Sequence, residues 1–336
     1  MRPNPDVAGP LPERWETLDG KKKGKSWGIL LKTAITLFLF WFLFKKINIG
    51  EVMATLLGMD QPLLWTATAI AVGAVVLSAY KWQLLLTARG WHLSMGELTK
   101  IYFIGLFANN FLPSSIGGDM LRIYLVGKKI NHNGEAAASV ILERLLSTVG
   151  LAVPALLALI PNSRLLGDFW DHIVYFFICC FALTYLIMKP AILRPLKKLP
   201  WKQWQRLVGI FREIINIIQS FRHKRGTLVK VIFYSVMFQL AIILINFCLI
   251  RALGIHQMGL WHCFLLVPII SAVSMLPVSI NGLGIREGAY VLLFGAMGVS
   301  ASQAITVSLL FFVIVTFISL FGGILFVLEK ERGAYQ

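Results

Sequence analysis

Five charged side chains stand where the sequence is otherwise apolar. They are Asp119 and Arg122 in FLPSSIGGDMLRIYLV, Glu143 (next to a sixth, Arg144) in SVILERLLSTVG, and Arg286 and Glu287 in LPVSINGLGIREGAYVLLF. An arginine in such surroundings presents a planar fork of donors matched to carboxylate or phosphate oxygens. Each arginine follows a proline and a glycine cluster: Pro113 with Gly117 and Gly118, and Pro277 with Gly282 and Gly284. Proline ends a helix because it lacks the amide hydrogen of the next turn, and glycine lets the chain turn and restart. A helix restarting near Asp119 or Gly284 points free N–H groups and the positive end of its dipole at the break. Arg122 and Arg286 then lie within about one turn of that end. Two helix N-termini and two guanidinium groups make a site for an anion such as a phosphate, to which Ser114, Ser115, Ser279 and Asn281 add neutral donors. The same residues also permit internal pairing, Arg122 with Asp119 at i, i+3 and Arg286 with Glu287 or Glu143.

Composition says what must hold these residues. The chain has 336 residues, 57% hydrophobic and 14% charged, with mean hydropathy +0.73. A soluble domain carries about 25% charged residues, so this is a polytopic, all-α membrane protein. The net charge of +16 accompanies no aromatic or zinc-ligand pattern of a nucleic-acid binder, and no nucleic-acid partner is expected. Lys and Arg fall mostly between apolar segments, as the positive-inside rule requires.

About 20 apolar residues make a span. Runs of that kind cover roughly 27–44, 63–86, 136–160, 171–188, 228–250 and 302–328, whereas 99–127 and 261–298 are each broken midway by a Pro/Gly/Ser cluster. The loop 189–226 holds ten Lys/Arg against the single acid Glu213 and reads as cytoplasmic. The tail 1–26, with Lys21, Lys22, Lys23 and Lys25, and the tail 329–336 read as cytoplasmic too. Loops 161–170 and 251–260 read as external, and loop 45–62, with Lys45 and Lys46, is the one external assignment that runs against the rule. These assignments agree only if each broken region enters and leaves on one side. The expectation is six transmembrane helices plus two re-entrant helical hairpins. Both termini lie inside, in a bacterial cytoplasmic (inner) membrane. Within the basic loop Trp204, Leu207, Val208, Phe211, Ile214, Ile215, Ile218 and Phe221 follow helical spacing, which predicts an amphipathic helix on the inner leaflet.

Residues 112–122, LPSSIGGDMLR, align without a gap on residues 276–286, LPVSINGLGIR, at an offset of 164. Leu-Pro, Ser115/Ser279, Ile116/Ile280, Gly118/Gly282 and Arg122/Arg286 coincide, and Leu121 faces Ile285. Six identities and one conservative pair in eleven positions, both segments lying at a break, indicate an internal duplication, repeat 1 about 63–160 and repeat 2 about 228–328. The charge argument gives the units opposite orientations, the inverted repeat of a transporter. In the helix after the first break, Glu143 and Arg144 face about 100° apart, so one points inward and the other snorkels. Glu143 is the candidate for arginine pairing or proton titration. Asn109 and Asn110, just before that break, either cap exposed carbonyls or line the path. Four cysteines, Cys179, Cys180, Cys248 and Cys263, lie in apolar runs, and six histidines are scattered, so neither disulfide nor metal is expected. GGD and GLGIREG lack the strand context and spacing of a nucleotide loop, and no cofactor is expected.

NNFLPSSIGGDMLRIYLV, ERLLSTVGL and LPVSINGLGIREGAYVLLF together resemble the flippase-like membrane-domain family, which includes the transmembrane domain of lysylphosphatidylglycerol synthase/flippase and its stand-alone relatives. The resemblance covers about 27–328. It implies translocation of an aminoacylated or phosphate-bearing lipid, and the matched positions are Asn110, Pro113, Gly117, Gly118, Asp119, Arg122, Glu143, Arg144, Gly282, Gly284, Arg286 and Glu287. Ser279 and Asn281 stand where relatives often have a more glycine-rich turn. The aminoacyl-transferase domain of the larger members has no counterpart here, so the expected activity is moving a lipid made elsewhere. The chain is expected not to be an enzyme, with a head group bound between the two hairpins. The alternatives are a membrane-embedded enzyme acting on lipid phosphates, for which no nucleophile–base pair is legible, and a non-transporting scaffold. The expected partners are a membrane lipid with an anionic or phosphate-bearing head group, a second copy in a homodimer, and a lipid-modifying enzyme.

Overall fold

A computed structural model describes residues 56–111, 117–162, 205–275 and 282–331, together with positions 50, 53, 175, 178, 182 and 186. Most of the expected spans 27–44 and 171–188, the two tails, and Pro113, Ser114, Ser115, Pro277, Ser279 and Asn281 at the breaks lie outside these described residues. Among the described residues every regular element is a helix. In chain order they are α1 (Gln61–Ala88), α2 (Met95–Phe111), α3 (Gly117–Ile130), α4 (Asn133–Asn162), α5 (Gln205–Ser220), a 3-10 turn (Phe221–His223), α6 (Arg225–Ala252), α7 (Leu260–Ser274), α8 (Ile285–Gly295) and α9 (Ala301–Glu331).

Four of these helices are long and apolar enough to cross a membrane: Gln61–Ala88, Asn133–Ala158, Arg225–Ala252 and Ala301–Leu328. At 1.5 Å per residue they reach about 40 Å, beyond the roughly 30 Å hydrocarbon layer. They coincide with the expected spans 63–86, 136–160, 228–250 and 302–328. The two broken regions each form two helices, α2 with α3 and α7 with α8, of 17, 14, 15 and 11 residues. Each of the four is shorter than a span needs.

Order and packing repeat. A long helix, two short ones and a second long one form α1–α4, and again α6–α9. Helix α1 packs on α6, while α2 of the first unit packs on α9 of the second and α7 of the second on α4 of the first. Small residues set the closest approaches, as expected where lipid offers no hydrophobic drive to association. A Cβ on Gly322 of α9 would meet the Phe103 carbonyl oxygen of α2 at 2.0 Å, and one on Gly150 of α4 would meet Ser235 Cβ of α6 at 2.5 Å. Between α2 and α3, a Cβ on Gly118 would stand 2.0 Å from the Gly105 carbonyl oxygen. An ion pair from Lys129 to Glu97 joins the far ends of the same two helices.

Among the described spans helix α4 is the most enclosed, with 50% of its most apolar stretch buried against 22–28% for the others. The amphipathic segment forms α5, and its C-terminal half turns inward onto the bundle. Ile217, Ile218 and Phe221 are buried with Leu85 of α1, Leu142 and Leu146 of α4, and Val231 of α6, while Phe211 remains 59% exposed. Arg89, at the end of α1, fastens this corner. Its Nε and Nη2 donate to Glu135 at 3.0 and 2.5 Å and its Nη1 to Ser220 Oγ at 3.0 Å. The hydrogen bonds to Glu135 raise the Arg89 guanidinium above its ordinary value.

Candidate functional site

The break between α2 and α3 positions the first group of charges. Asn109 Oδ1 accepts from the Gly118 N–H at 2.8 Å and so caps the new helix across the gap. Asp119 and Arg122 follow in the first turns of α3 and are buried. Gly105 on α2 leaves room for the arginine stem, since a Cβ there would meet Arg122 Cγ at 2.7 Å. The guanidinium lies over the rings of Trp82 (4.3 Å) and Tyr102 (4.1 Å), which anchor it by cation–π contact.

Five charges from three helices then alternate in sign. Arg144 of α4 donates through Nε to Asp119. Asp119 also lies 3.4 Å from Arg122 Nη1, and Arg122 Nη2 donates to Glu143 at 2.6 Å. The other oxygen of Glu143 is 3.8 Å from Lys81 Nζ of α1 and accepts from the Tyr102 hydroxyl at 3.4 Å. Lys81 completes its shell with Ser147 Oγ of α4 at 2.9 Å and Ser235 Oγ of α6 at 3.5 Å. Side-chain exposure falls steadily along this ladder: 45% at Arg144, 9% at Asp119, 5% at Arg122, 4% at Glu143 and 1% at Lys81. Three cations stand against two carboxylates, which leaves one formal positive charge unmatched. Buried charge of this kind is costly in a membrane protein and marks functional positions by default. Arg122 Nε is also buried with no hydrogen-bond partner among the described residues.

The second break is built differently. Gly282 and Gly284 have φ of +73° and +83°, the left-handed region that glycine occupies without strain. Glu287, in the first turn of α8, reaches back so that its Oε2 accepts from the Gly284 N–H at 2.6 Å, half of a capping box. Its other oxygen accepts from Arg286 Nη2 at 2.6 Å and from Ser308 Oγ of α9 at 3.0 Å. Arg286 Nε donates to the same hydroxyl at 3.1 Å, and its guanidinium lies 5.1 Å from the Phe312 ring. This pair is buried and neutral. Next to it, the fully buried Tyr290 hydroxyl donates to Asn246 of α6.

The sequence candidates therefore divide into two sets. Asp119, Arg122 and Glu143 come together with Arg144, and Arg286 joins Glu287 alone. Asn110 donates to Ser319 of α9 at 3.0 Å and ties the first break to the last span. Sequence reasoning missed Lys81, although a signal existed, since it is the single charged residue in the 28 residues of α1. It also missed Trp82 and Tyr102, which look like ordinary interface aromatics.

Comparison with known proteins supplies the family. Residues 29–323 match the family described as the lysylphosphatidylglycerol synthase TM region. The chain belongs to that family. Its relatives include a UPF0104 membrane protein of Pyrococcus horikoshii, 26% identical over 330 residues, covering 90% of this chain and 96% of the relative. A UPF0104 membrane protein of Methanothermobacter thermautotrophicus is 24% identical, covering 83% of this chain and 85% of its own. A third, from Methanocaldococcus jannaschii, is 24% identical over 79% of this chain and 83% of its own. All three names describe membrane proteins. The buried ladder thus lies within the region matched by the family, all of it in the first unit.

Proposed function

We propose that the protein is a lipid translocase that carries a phosphate-bearing lipid head group between leaflets without making or breaking covalent bonds. The observation that carries this reading is the buried, alternating ladder with one cation in excess, which begins at the half-exposed Arg144 in the middle of the most enclosed span. Guanidinium groups held by carboxylates and aromatic rings are suited to exchanging one oxyanion for another.

The reciprocal packing of the two units supports the transport step. In this reading α2–α3 and α7–α8 are re-entrant hairpins of an inverted repeat, entering from opposite sides and meeting near the midplane. Rocking of one unit against the other opens the head-group site to each leaflet in turn while the hydrocarbon tails stay in lipid. Family membership supports the substrate class, since the family is named for a lipid synthase. The phosphate engages Arg144 at the exposed end of the ladder, with Arg122 behind it, and Arg286, already paired with Glu287 and hydrogen-bonded to Ser308, frames the second hairpin.

Reconstitution tests the reading. Vesicles containing purified protein are loaded with fluorescent phosphatidylglycerol, aminoacyl-lipid or polyprenyl-phosphate analogues, and the fraction accessible to a membrane-impermeant quencher is followed in time. Wild type is expected to equilibrate at least one analogue faster than empty vesicles, with Arg122→Ala and Arg144→Gln slowed at least tenfold. Rates equal to those of empty vesicles for every analogue, with folded protein, would remove the proposal.

A further inference from the structure

We propose that a single negative charge docking at Arg144 is transmitted to the buried Lys81 by a one-step exchange of partners along the ladder. This inference rests on the lipid-anion reading above and deepens it, because it fixes both the charge of the preferred head group and the route by which the bundle senses it.

In the present arrangement the pairs are Arg144 with Asp119 and Arg122 with Glu143, and Lys81 is left over. Lys81 makes do with two serine hydroxyls and a carboxylate oxygen 3.8 Å away. The odd cation therefore sits at the deepest end, where an unmatched charge costs most. An anion at the exposed end allows every partner to shift by one. The anion takes Arg144, Asp119 closes on Arg122 from 3.4 Å, and Glu143 closes on Lys81 from 3.8 Å. The two movements are about 0.6 Å and about 1 Å, the differences from a charge-assisted hydrogen bond of roughly 2.8 Å. Afterwards every charge is paired one to one.

The surroundings fit carboxylates that move past a fixed guanidinium. Arg122 is pinned by Trp82, Tyr102 and the Gly105 surface of α2. Both acids already touch two cations each, so neither has to cross a gap unpaired. The shift ends on Lys81, whose hydroxyl partners Ser147 and Ser235 stand on α4 and α6, close to the Gly150–Ser235 approach of those helices. Drawing the ammonium toward Glu143 loosens its hold on Ser235. Binding at the exposed end is thereby felt at the junction of the two repeated units, where a rocking motion must begin.

Charge matching also ranks ligands. A phosphodiester carries one negative charge and completes the ladder. A phosphomonoester carries about −1.5 to −2 near neutral pH and overshoots it. The site is therefore expected to prefer phosphodiesters.

The test is a binding measurement on the full chain in phosphatidylcholine nanodiscs, separate from any transport assay. The probes are dihexanoyl-phosphatidylglycerol, dihexanoyl-phosphatidic acid and dimethyl phosphate. Wild type is expected to bind the phosphodiester lipid at least fivefold more tightly than the monoester, and Arg144→Gln to weaken it at least tenfold. Lys81→Met touches no anion in this scheme, yet it is expected to weaken binding at least tenfold, because two cations then already match two carboxylates. Lys81→Met/Glu143→Gln leaves two cations and one carboxylate and should return to within about threefold of wild type. Lys81→Arg, which keeps the charge, should bind. Dimethyl phosphate binding as tightly as the lipid would assign the same ladder to free phosphodiesters. Folded Lys81→Met with wild-type affinity, or a double variant no better than the single, would overturn the relay while leaving the lipid-anion reading intact. Wild type that binds none of the probes would instead sink the lipid-anion reading itself.

Discussion

Replacing Glu143 with glutamine keeps the side-chain volume and removes one negative charge from the centre of the ladder. Glu143 lies 2.6 Å from Arg122 and 3.8 Å from Lys81, and all three are at least nine-tenths buried. Two unit charges 4 Å apart attract by about 4 kcal/mol at an effective dielectric constant of about 20. The mutant keeps both cations buried and loses their shared partner, although Arg122 retains Asp119. Part of the attraction is offset because the carboxylate no longer has to be desolvated. Removing one partner of a buried pair typically costs about 3–5 kcal/mol, and that is the expected loss here. For a chain of this size, roughly 2 °C of melting temperature accompanies each kcal/mol, so the drop should be about 6–10 °C.

Lys81→Met is the informative counterpart. It removes the odd cation rather than a shared anion and keeps an unbranched side chain of similar reach. Its expected effect is within about 1 kcal/mol of zero, because replacing a poorly matched buried ion by an apolar residue is often neutral or stabilising. The assay is tryptophan-fluorescence melting of both variants in one detergent at one scan rate, since membrane proteins often unfold irreversibly. Equal destabilisation by the two substitutions would refute the reasoning that the cluster holds one cation too many. A loss under about 2 °C for Glu143→Gln would refute the weight placed on the ladder itself.

Further substitutions probe the backbone devices by the same melting assay. Gly118→Ala places a methyl group 2.0 Å from the Gly105 carbonyl oxygen, and forcing α2 from α3 should cost about 3 kcal/mol. Gly284→Ala must hold φ near +83°, at an expected cost of about 1–3 kcal/mol. Gly288→Ala, four residues on in the same element, meets nothing within 4 Å and should be neutral or stabilising by up to about 1 kcal/mol. Arg89→Gln opens the corner that joins Glu135 to Ser220. A loss of about 1–2 kcal/mol, with faster proteolysis at α5, is expected.

Much of this architecture was legible because the membrane imposes simple rules. Runs of about 20 apolar residues gave the four described spans to within a few residues, and proline with glycine marked both breaks. Asp119 and Glu143 stood out for the same reason, as acids in apolar surroundings. Partner choice was not legible. Nothing in the spacing says that Arg286 takes its sequence neighbour Glu287 while Arg122 reaches across to Glu143 in α4, because tertiary packing decides which carboxylate arrives. Lys81 escaped notice since a lone lysine near the end of an apolar run resembles a snorkelling residue. Its burial follows from the packing of α1 on α6 and α4, which no local pattern encodes. The inward turn of α5 was hidden similarly, as an amphipathic helix reads alike whether it meets lipid or protein.

The two breaks, set side by side, separate what belongs to the fold from what belongs to its chemistry. At the offset of 164 residues, Arg122 corresponds to Arg286, and the proline and glycine of the break recur. Lys81 and Asp119, by contrast, correspond to Ile245 and Leu283, and α9, the counterpart of α4, has no charged residue before Glu329. The second unit has thus kept the helix break and its arginine while four of the five ladder charges have no counterpart. It neutralises that arginine locally with Glu287, and Ser308 of α9 hydrogen-bonds both members of the pair. An arginine beside a broken helix is therefore compatible with a closed, neutral pair and demands no ligand. What distinguishes the first unit is the excess of cations and their graded exposure, and these cost stability that a purely structural hairpin, such as the second, does without. Two broken helices, one electrically closed and one left a charge short, would suit the carrier proposed above, one side holding the head group and the other supplying the frame it moves against.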